Sequence, residues 1–349
     1  MGTSPGRPKA LRVGICGLGD WAWRHVKLLR ETGGFEIVAI ASRSDAAWER
    51  ARRDLPGAAL FRDQQEMLAT ARPDLVIVAT PHHLHASMSM AALAAGAHVI
   101  VEKPMATNLA DAKAMLAAAR RAGRMLAVYH NRRFDPWLLA AKKAVDVGTL
   151  GRVIELNASW PDNAPFGTWR RQKRESGGLF YDLGAHMADY LTVLAGSPPV
   201  RVSGHVERKR GSDPALNEDH VTAAIQFENG ARGRISISTL DHAPAYRFHL
   251  VGESATLLDR WNWGGGTGDI LTRATDGALQ TQTYAYDGED DSGGGRPIYR
   301  SIAAHLFEGA PLAVTPEQAL TNVAVLLAAE HSAARRGDWV DLPEFIAAG

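Results

Sequence analysis

The stretch Leu11-Arg-Val-Gly-Ile-Cys-Gly17-Leu-Gly19-Asp-Trp-Ala22 most constrains this chain. It is an apolar strand running into a glycine turn and then a helix. Gly17 permits the tight turn, Gly19 lets backbone approach a pyrophosphate, and Ala22 lets helix and strand pack closely. The helix start offers free N–H groups and partial positive charge to phosphates. A second buried strand, in Gly96-Ala-His-Val-Ile-Val-Glu102-Lys103-Pro104, ends in an acid, a base and a proline. That places a lysine at the carboxyl end of a parallel strand, where doubly wound sheets carry their chemistry.

From Leu11 to about His130, short Val- and Ile-rich runs alternate with helical patterns of Ala, Leu, Arg and Met. Such alternation predicts an α/β Rossmann-type doubly wound parallel sheet. After Arg133 the rhythm changes to a few helices and many alternating runs, which predicts an α+β domain with a large, mainly antiparallel sheet. A chain of 349 residues is expected to hold two domains, here 10–130 for a dinucleotide and 131–349 for substrate and oligomerisation. Gly264–Gly268 and Asp287–Gly295 read as loops by composition.

Net charge is +1, with no basic stripe or acidic tail, which argues against nucleic acid or a membrane surface as partner. The opening Met1–Ala10 lacks the apolar core of a signal peptide, and the one cysteine, Cys16, excludes a disulfide within the chain. The expectation is a cytoplasmic protein.

The strand after the fingerprint ends in Ser42-Arg43, where an acid would accept the ribose hydroxyls of NAD. A hydroxyl and a guanidinium suit a 2′-phosphate, so NADP is expected over NAD, with NAD still possible. Three histidines crowd Thr80-Pro81-His82-His83-Leu84-His85. No further zinc-type ligand pattern accompanies them, which favours a loop under the nicotinamide ribose with Thr80 and His85 turned inward, and no metal. Farther on, Asp182 and His186 stand four apart in a helical pattern. They suit a general base oriented by a carboxylate, a capped helix with a packed histidine, or a metal pair.

Taken in order, these motifs resemble the Gfo/Idh/MocA oxidoreductases, a family that includes glucose-fructose oxidoreductase and inositol 2-dehydrogenase. The resemblance rests on Gly17-x-Gly19-x-x-Ala22, Ala79-Thr-Pro81 with His85, the Glu102-Lys103-Pro104 strand end, Asn131-Arg132-Arg133-Phe134, Trp169-Arg170, and Asp182-x-Gly184-x-His186-x-x-Asp189. It implies hydride transfer between a nicotinamide cofactor and a sugar, cyclitol or related polyol. Lys103 would be the catalytic lysine, with Asp182 and His186 as the catalytic pair. Gly17, Gly19, Asp20, Trp21, Ala22, Ser42, Arg43, Thr80, Pro81, His82, His85, Glu102 and Lys103 would line the cofactor. Asn131, Arg132, Trp160, Trp169, Arg170 and Tyr181 would meet the substrate, with aromatic faces against sugar C–H groups. Asp20-Trp21 and His82 depart from the family's usual smaller residues. A homodimer or homotetramer is implied. Two other functions fit the same motifs: a cofactor-retaining glycoside hydrolase, and a non-catalytic NADP(H) sensor.

Overall fold

The computed structural model describes residues 10–161, 168–209, 211–242, 246–260, 266–286 and 294–349. Residues 1–9 of the polar opening, and 264–265 and 287–293 of the glycine-rich stretches, lie outside the described residues. The chain divides into two compact units. One comprises Met1–Met105, Asp111–Tyr129 and Gly295–Glu317; the other comprises Ala106–Ala110, His130–Gly294 and Gln318–Gly349.

The first unit runs β1 (Leu11–Cys16), α1 (Asp20–Thr32), β2 (Phe35–Ala41), α2 (Asp45–Asp54), β3 (Ala59–Phe61), α3 (Gln64–Ala71), β4 (Leu75–Val78), α4 (His85–Ala94), β5 (His98–Glu102), α5 (Leu109–Ala122) and β6 (Leu126–Tyr129). Its six strands lie in the order 3-2-1-4-5-6, and all its pairings are parallel. The order reverses between β1 and β4, which makes the crevice at their carboxyl ends the ligand position of this fold. β4 is buried throughout, as expected of a central strand covered on both faces.

The second unit carries α6 (Pro136–Asp146), β7 (Val153–Pro161), α7 (Lys173–Ser176) and α8 (Ala185–Ala195). Strands β8 (Pro199–Glu207), β9 (His220–Phe227), β10 (Arg232–Ser238), β11 (Phe248–Gly252), β12 (Thr256–Asp259), β13 (Gly266–Arg273) and β14 (Leu279–Tyr286) follow. The nine-stranded sheet has the order 14-13-12-11-7-10-9-8-15, with β15 (Val340–Asp341) at the far edge. Among the described residues of this sheet, only β7 and β10 pair in parallel. In β9, buried residues alternate with partly exposed ones, so one face meets the core formed with Leu183, Leu191 and Leu326.

Several elements differ from the sequence expectation, among them the following. Strand β3 is three residues long, too short for a period to show. Gly266 and Gly268, expected in a loop, begin β13, where they lie opposite Tyr286 and Tyr284 of β14. Gly295 opens a helix, α9 (Gly295–Glu308), which packs on α1 in the first unit. Helix α10 (Pro316–Ala334) follows it. No helix among the described residues is long and apolar enough to cross a membrane.

Candidate active site

Gly17 follows β1 with a φ of 82°, a backbone state that favours glycine. A Cβ there would stand 2.5 Å from the Ala79 carbonyl oxygen. Gly19 caps α1 in extended geometry (φ −76°, ψ −179°), with no side chain satisfying the first N–H groups. A Cβ built on Gly19 would find no described atom within 4 Å. One glycine is therefore demanded by packing and the other leaves a cradle open. Beside the turn, Thr80 Oγ1 is buried with no hydrogen-bond partner among the described residues. A helix start that no side chain caps and an orphaned buried hydroxyl fit a dinucleotide pyrophosphate and its neighbouring ribose.

Asp20 is exposed, and Trp21 is half-buried with the Arg24 guanidinium 4.0 Å from its ring centre. Ala22 is buried, as close packing of α1 on β1 requires. At the end of β2, Ser42 N–H donates to the Phe61 carbonyl at 3.0 Å, which brings the residue after β3 alongside. That residue is Arg62, which sequence reading did not single out. It donates to the Arg43 carbonyl at 2.9 Å and to Asp45, and lies 4.0 Å from the Trp48 ring centre. Arg43 is exposed, and its guanidinium has no ion-pair partner among the described residues. No acid occupies the Ser42-Arg43 strand end. The only signal for Arg62 would have been the short strand before it.

The three histidines separate. His83 is exposed, whereas His82 and His85 are buried with ring centres 5.4 Å apart. His85 is fully buried between two carbonyl oxygens, of Pro104 at 2.8 Å from Nδ1 and of Thr80 at 2.9 Å from Nε2. It thus stands between the Thr80-Pro81 loop and the loop after β5, and as a neutral ring with one N–H it donates to one of these two carbonyls. Burial outweighs these bonds and lowers its pKa from the ordinary 6.5. Among the described residues no group of three or more His, Cys, Asp or Glu is placed to hold a metal ion.

Lys103 is 8% exposed and follows Glu102 at the end of β5. The Glu102 carboxylate accepts from His25 Nε2 at 2.9 Å. Burial alone would raise its pKa, but His25, Lys103 and His85 outweigh that and hold it below the usual carboxylate range.

In the second unit, residues Phe180–Gly184 form a π-helical turn leading into α8. Asp182 sits in this turn rather than at an N-cap, and single π-helical turns are frequent at functional sites. Asp182 is buried with Arg170 Nη1 3.7 Å from its carboxylate. His186 is buried with its ring stacked near Tyr190 (6.4 Å, 18°). Asp189, in the same helix, accepts from Arg133. Asn131 is buried, and Arg132 pairs with Asp135 at 3.1 Å while lying 5.2 Å from the Trp160 ring. Trp169 lies next to Arg170, 5.5 Å from ring centre to guanidinium. Tyr181 is buried and its hydroxyl donates to Glu330 at 3.1 Å, so it packs beneath the turn.

Sequence reading missed the support under that turn. Lys173 Nζ bridges Glu218 (2.6 Å) and Glu330 (2.7 Å), and Glu218 also accepts from Leu179 N–H at 3.0 Å. The φ of 117° at Gly178 and the nearness of Glu218 leave no room there for a Cβ, which would sit 2.7 Å from the carboxylate. Burial opposes the charge on Glu218, but Lys173 and Leu179 N–H lower its pKa below 4.5.

A parallel sheet in this order, with a glycine turn heading its first helix and a lysine at a neighbouring strand end, defines a nicotinamide-nucleotide oxidoreductase. The chain belongs to the Gfo/Idh/MocA family: residues 11–130 match its oxidoreductase family, NAD-binding Rossmann fold, and residues 138–258 its C-terminal domain. It is 29% identical to scyllo-inositol 2-dehydrogenase (NADP(+)) IolW of Bacillus subtilis, over 92% of this chain and 93% of that one. It is 28% identical to scyllo-inositol 2-dehydrogenase (NAD(+)) of the same organism, over 71% of this chain and 73% of that one. The solved NAD-binding protein of Listeria innocua superposes with a TM-score of 0.84 at 25% identity, covering 95% of this chain and 97% of that chain.

Proposed function

We propose that this oxidoreductase transfers hydride between NADP(H) and a sugar, cyclitol or related polyol, with Lys103, Asp182 and His186 as its catalytic residues. The observation that carries the proposal is the open cradle at Gly19 on the same sheet that ends β5 at Lys103. The bound nicotinamide would accept or deliver the hydride. His186 takes the alcohol proton at a ring nitrogen, and Asp182 stabilises the resulting imidazolium. Lys103 donates a hydrogen bond to the reacting oxygen. Asn131, Arg132, Trp160, Trp169 and Arg170 are proposed to orient the substrate, and the NADP and NAD names of two relatives support either nucleotide.

The NADP preference is supported by Ser42 and Arg43 where an acid would read a free ribose, with Arg62 alongside. Calorimetric titration of nucleotide-stripped protein with NADPH and NADH tests it: tighter NADPH binding is expected, and tighter NADH binding would refute the preference. A polyol screen at the nicotinamide absorbance band then tests the reaction. Release of an aglycone from a glycoside with no net absorbance change would identify a hydrolase instead. Nucleotide binding without either reaction in a broad screen would favour a sensor. The assembly proposed on family resemblance, a homodimer or homotetramer, is read by sedimentation velocity.

A further inference from the structure

His25 lies on α1, nearly eighty residues before Lys103, and is fully buried. A buried imidazole with no engaged nitrogen would lose its hydration without compensation; here both nitrogens are engaged. Nδ1 lies 2.7 Å from the Tyr299 hydroxyl and Nε2 lies 2.9 Å from Glu102 Oε1. Tyr299 is supplied by α9, and it too is fully buried. Burial, with Tyr129 and Glu102 nearby, raises the pKa of that phenol well above 10.0, so it keeps its proton and donates it to Nδ1. This fixes the tautomer with the imidazole proton on Nε2, facing the carboxylate. The ring is clamped from the side by Tyr129 of β6, 4.4 Å away at 55°. The second carboxylate oxygen, Oε2, accepts from Lys103 N–H at 3.3 Å.

We propose that His25 and Tyr299 are positioning residues that lock the Glu102 carboxylate, and its field, against Lys103. The inference rests on the catalytic assignment of Lys103 proposed above. Tyr299, His25 and Glu102 form one chain of directed hydrogen bonds whose last member is covalently next to the lysine. The ionisable groups around Glu102 are His25 of α1, Tyr299 of α9, Tyr129 of β6, His85 of α4 and Lys103 itself. Of these, His25 donates a side-chain hydrogen bond to the carboxylate. Removing it favours the protonated acid, and a neutral Glu102 no longer stabilises the ammonium of Lys103.

The test is the Lys103 titration itself, followed by NMR on full-length protein carrying ¹³Cε-labelled lysine, with the resonance assigned through Lys103→Arg. His25→Leu is expected to lower the Lys103 midpoint by about one unit. His25→Gln, which still presents an N–H, should restore most of it. Glu102→Gln keeps the volume and removes the charge. It should lower the midpoint similarly, and His25→Leu added to it should shift the midpoint no further. Tyr299→Phe should give a smaller shift in the same direction and keeps the test open if His25→Leu does not fold. An unmoved midpoint in folded His25→Leu, or in Tyr299→Phe and Glu102→Gln together, would overturn the proposal. The readout needs no turnover, so its failure is separate from that of the catalytic reading, which falls if Lys103→Ala retains activity.

Discussion

The two glycines of the first turn allow a sharp comparison, because the same substitution should do opposite things at each. At Gly17 a methyl group meets the Ala79 carbonyl oxygen at 2.5 Å and its carbon at 2.9 Å, both backbone atoms of the neighbouring strand end. The φ of 82° adds a left-handed penalty of about 1–2 kcal/mol for any L side chain. Relief of the clash must move backbone, for a total of about 3 kcal/mol. With a midpoint shift of roughly 2–4 °C per kcal/mol for units of this size, Gly17→Ala should lower the apo melting temperature by about 6–12 °C. At Gly19 the backbone is extended and the methyl group meets no described atom within 4 Å. Gly19→Ala should leave the apo melting temperature within about 2 °C. It should nonetheless weaken NADPH tenfold or more, because the methyl group fills the space assigned to pyrophosphate. Differential scanning calorimetry and titration calorimetry read the two effects. Wild-type NADPH affinity in Gly19→Ala would refute the cradle, and an unchanged melting temperature in Gly17→Ala would refute the steric argument.

Other expectations follow from the same contacts. Arg43→Glu should weaken NADPH at least tenfold more than NADH, measured by titration calorimetry; an equal loss would mean Arg43 does not read the 2′-phosphate. Lys173→Met strips Glu218 of its ammonium partner; with Arg208 still 3.3 Å away, a loss of about 2 kcal/mol is expected in urea unfolding, largely recovered by adding Glu218→Gln. The lowered Glu218 carboxyl contributes stability above pH 4.5 that disappears as pH falls through its native pKa, so Glu218→Gln should flatten the acid limb of the stability curve. Cys16 is fully buried and burial pushes its thiol up to about 12, so Ellman's reagent should react with it only after unfolding.

Much of the first unit could be read from sequence because buried parallel strands and their helices advertise themselves by composition. β1, β2, β4, β5 and β6 all fall on runs expected to be strands. The failures have physical causes. β3 has three residues and no room for a pattern. Gly266 and Gly268 look like loop residues, yet each faces a tyrosine across the pair, where the missing side chain makes room for an aromatic ring. The helix at Gly295 opens Gly-Arg-Pro, which reads as a breaker although proline is tolerated in a first turn. Candidate residues were legible where a motif held them, as at Gly17, Lys103 and His186. His25, Tyr299 and Glu330 were not, because each acts through a partner far along the chain, and no local spacing announces such a pair.

The first unit is also unfinished for most of the time the chain is being made. Its six strands are complete by Tyr129, but Tyr299 and the helix that packs on α1 come from Gly295–Glu317. On a ribosome the nascent sheet would emerge with His25 lacking its phenol and α1 lacking its cover. It would wait there while strands β7 to β14 of the second sheet were synthesised. A fragment ending near residue 130 should therefore expose apolar α1 surface and engage chaperones. Gene fusions that borrow the nucleotide-binding half as a module would need to carry α9 with it.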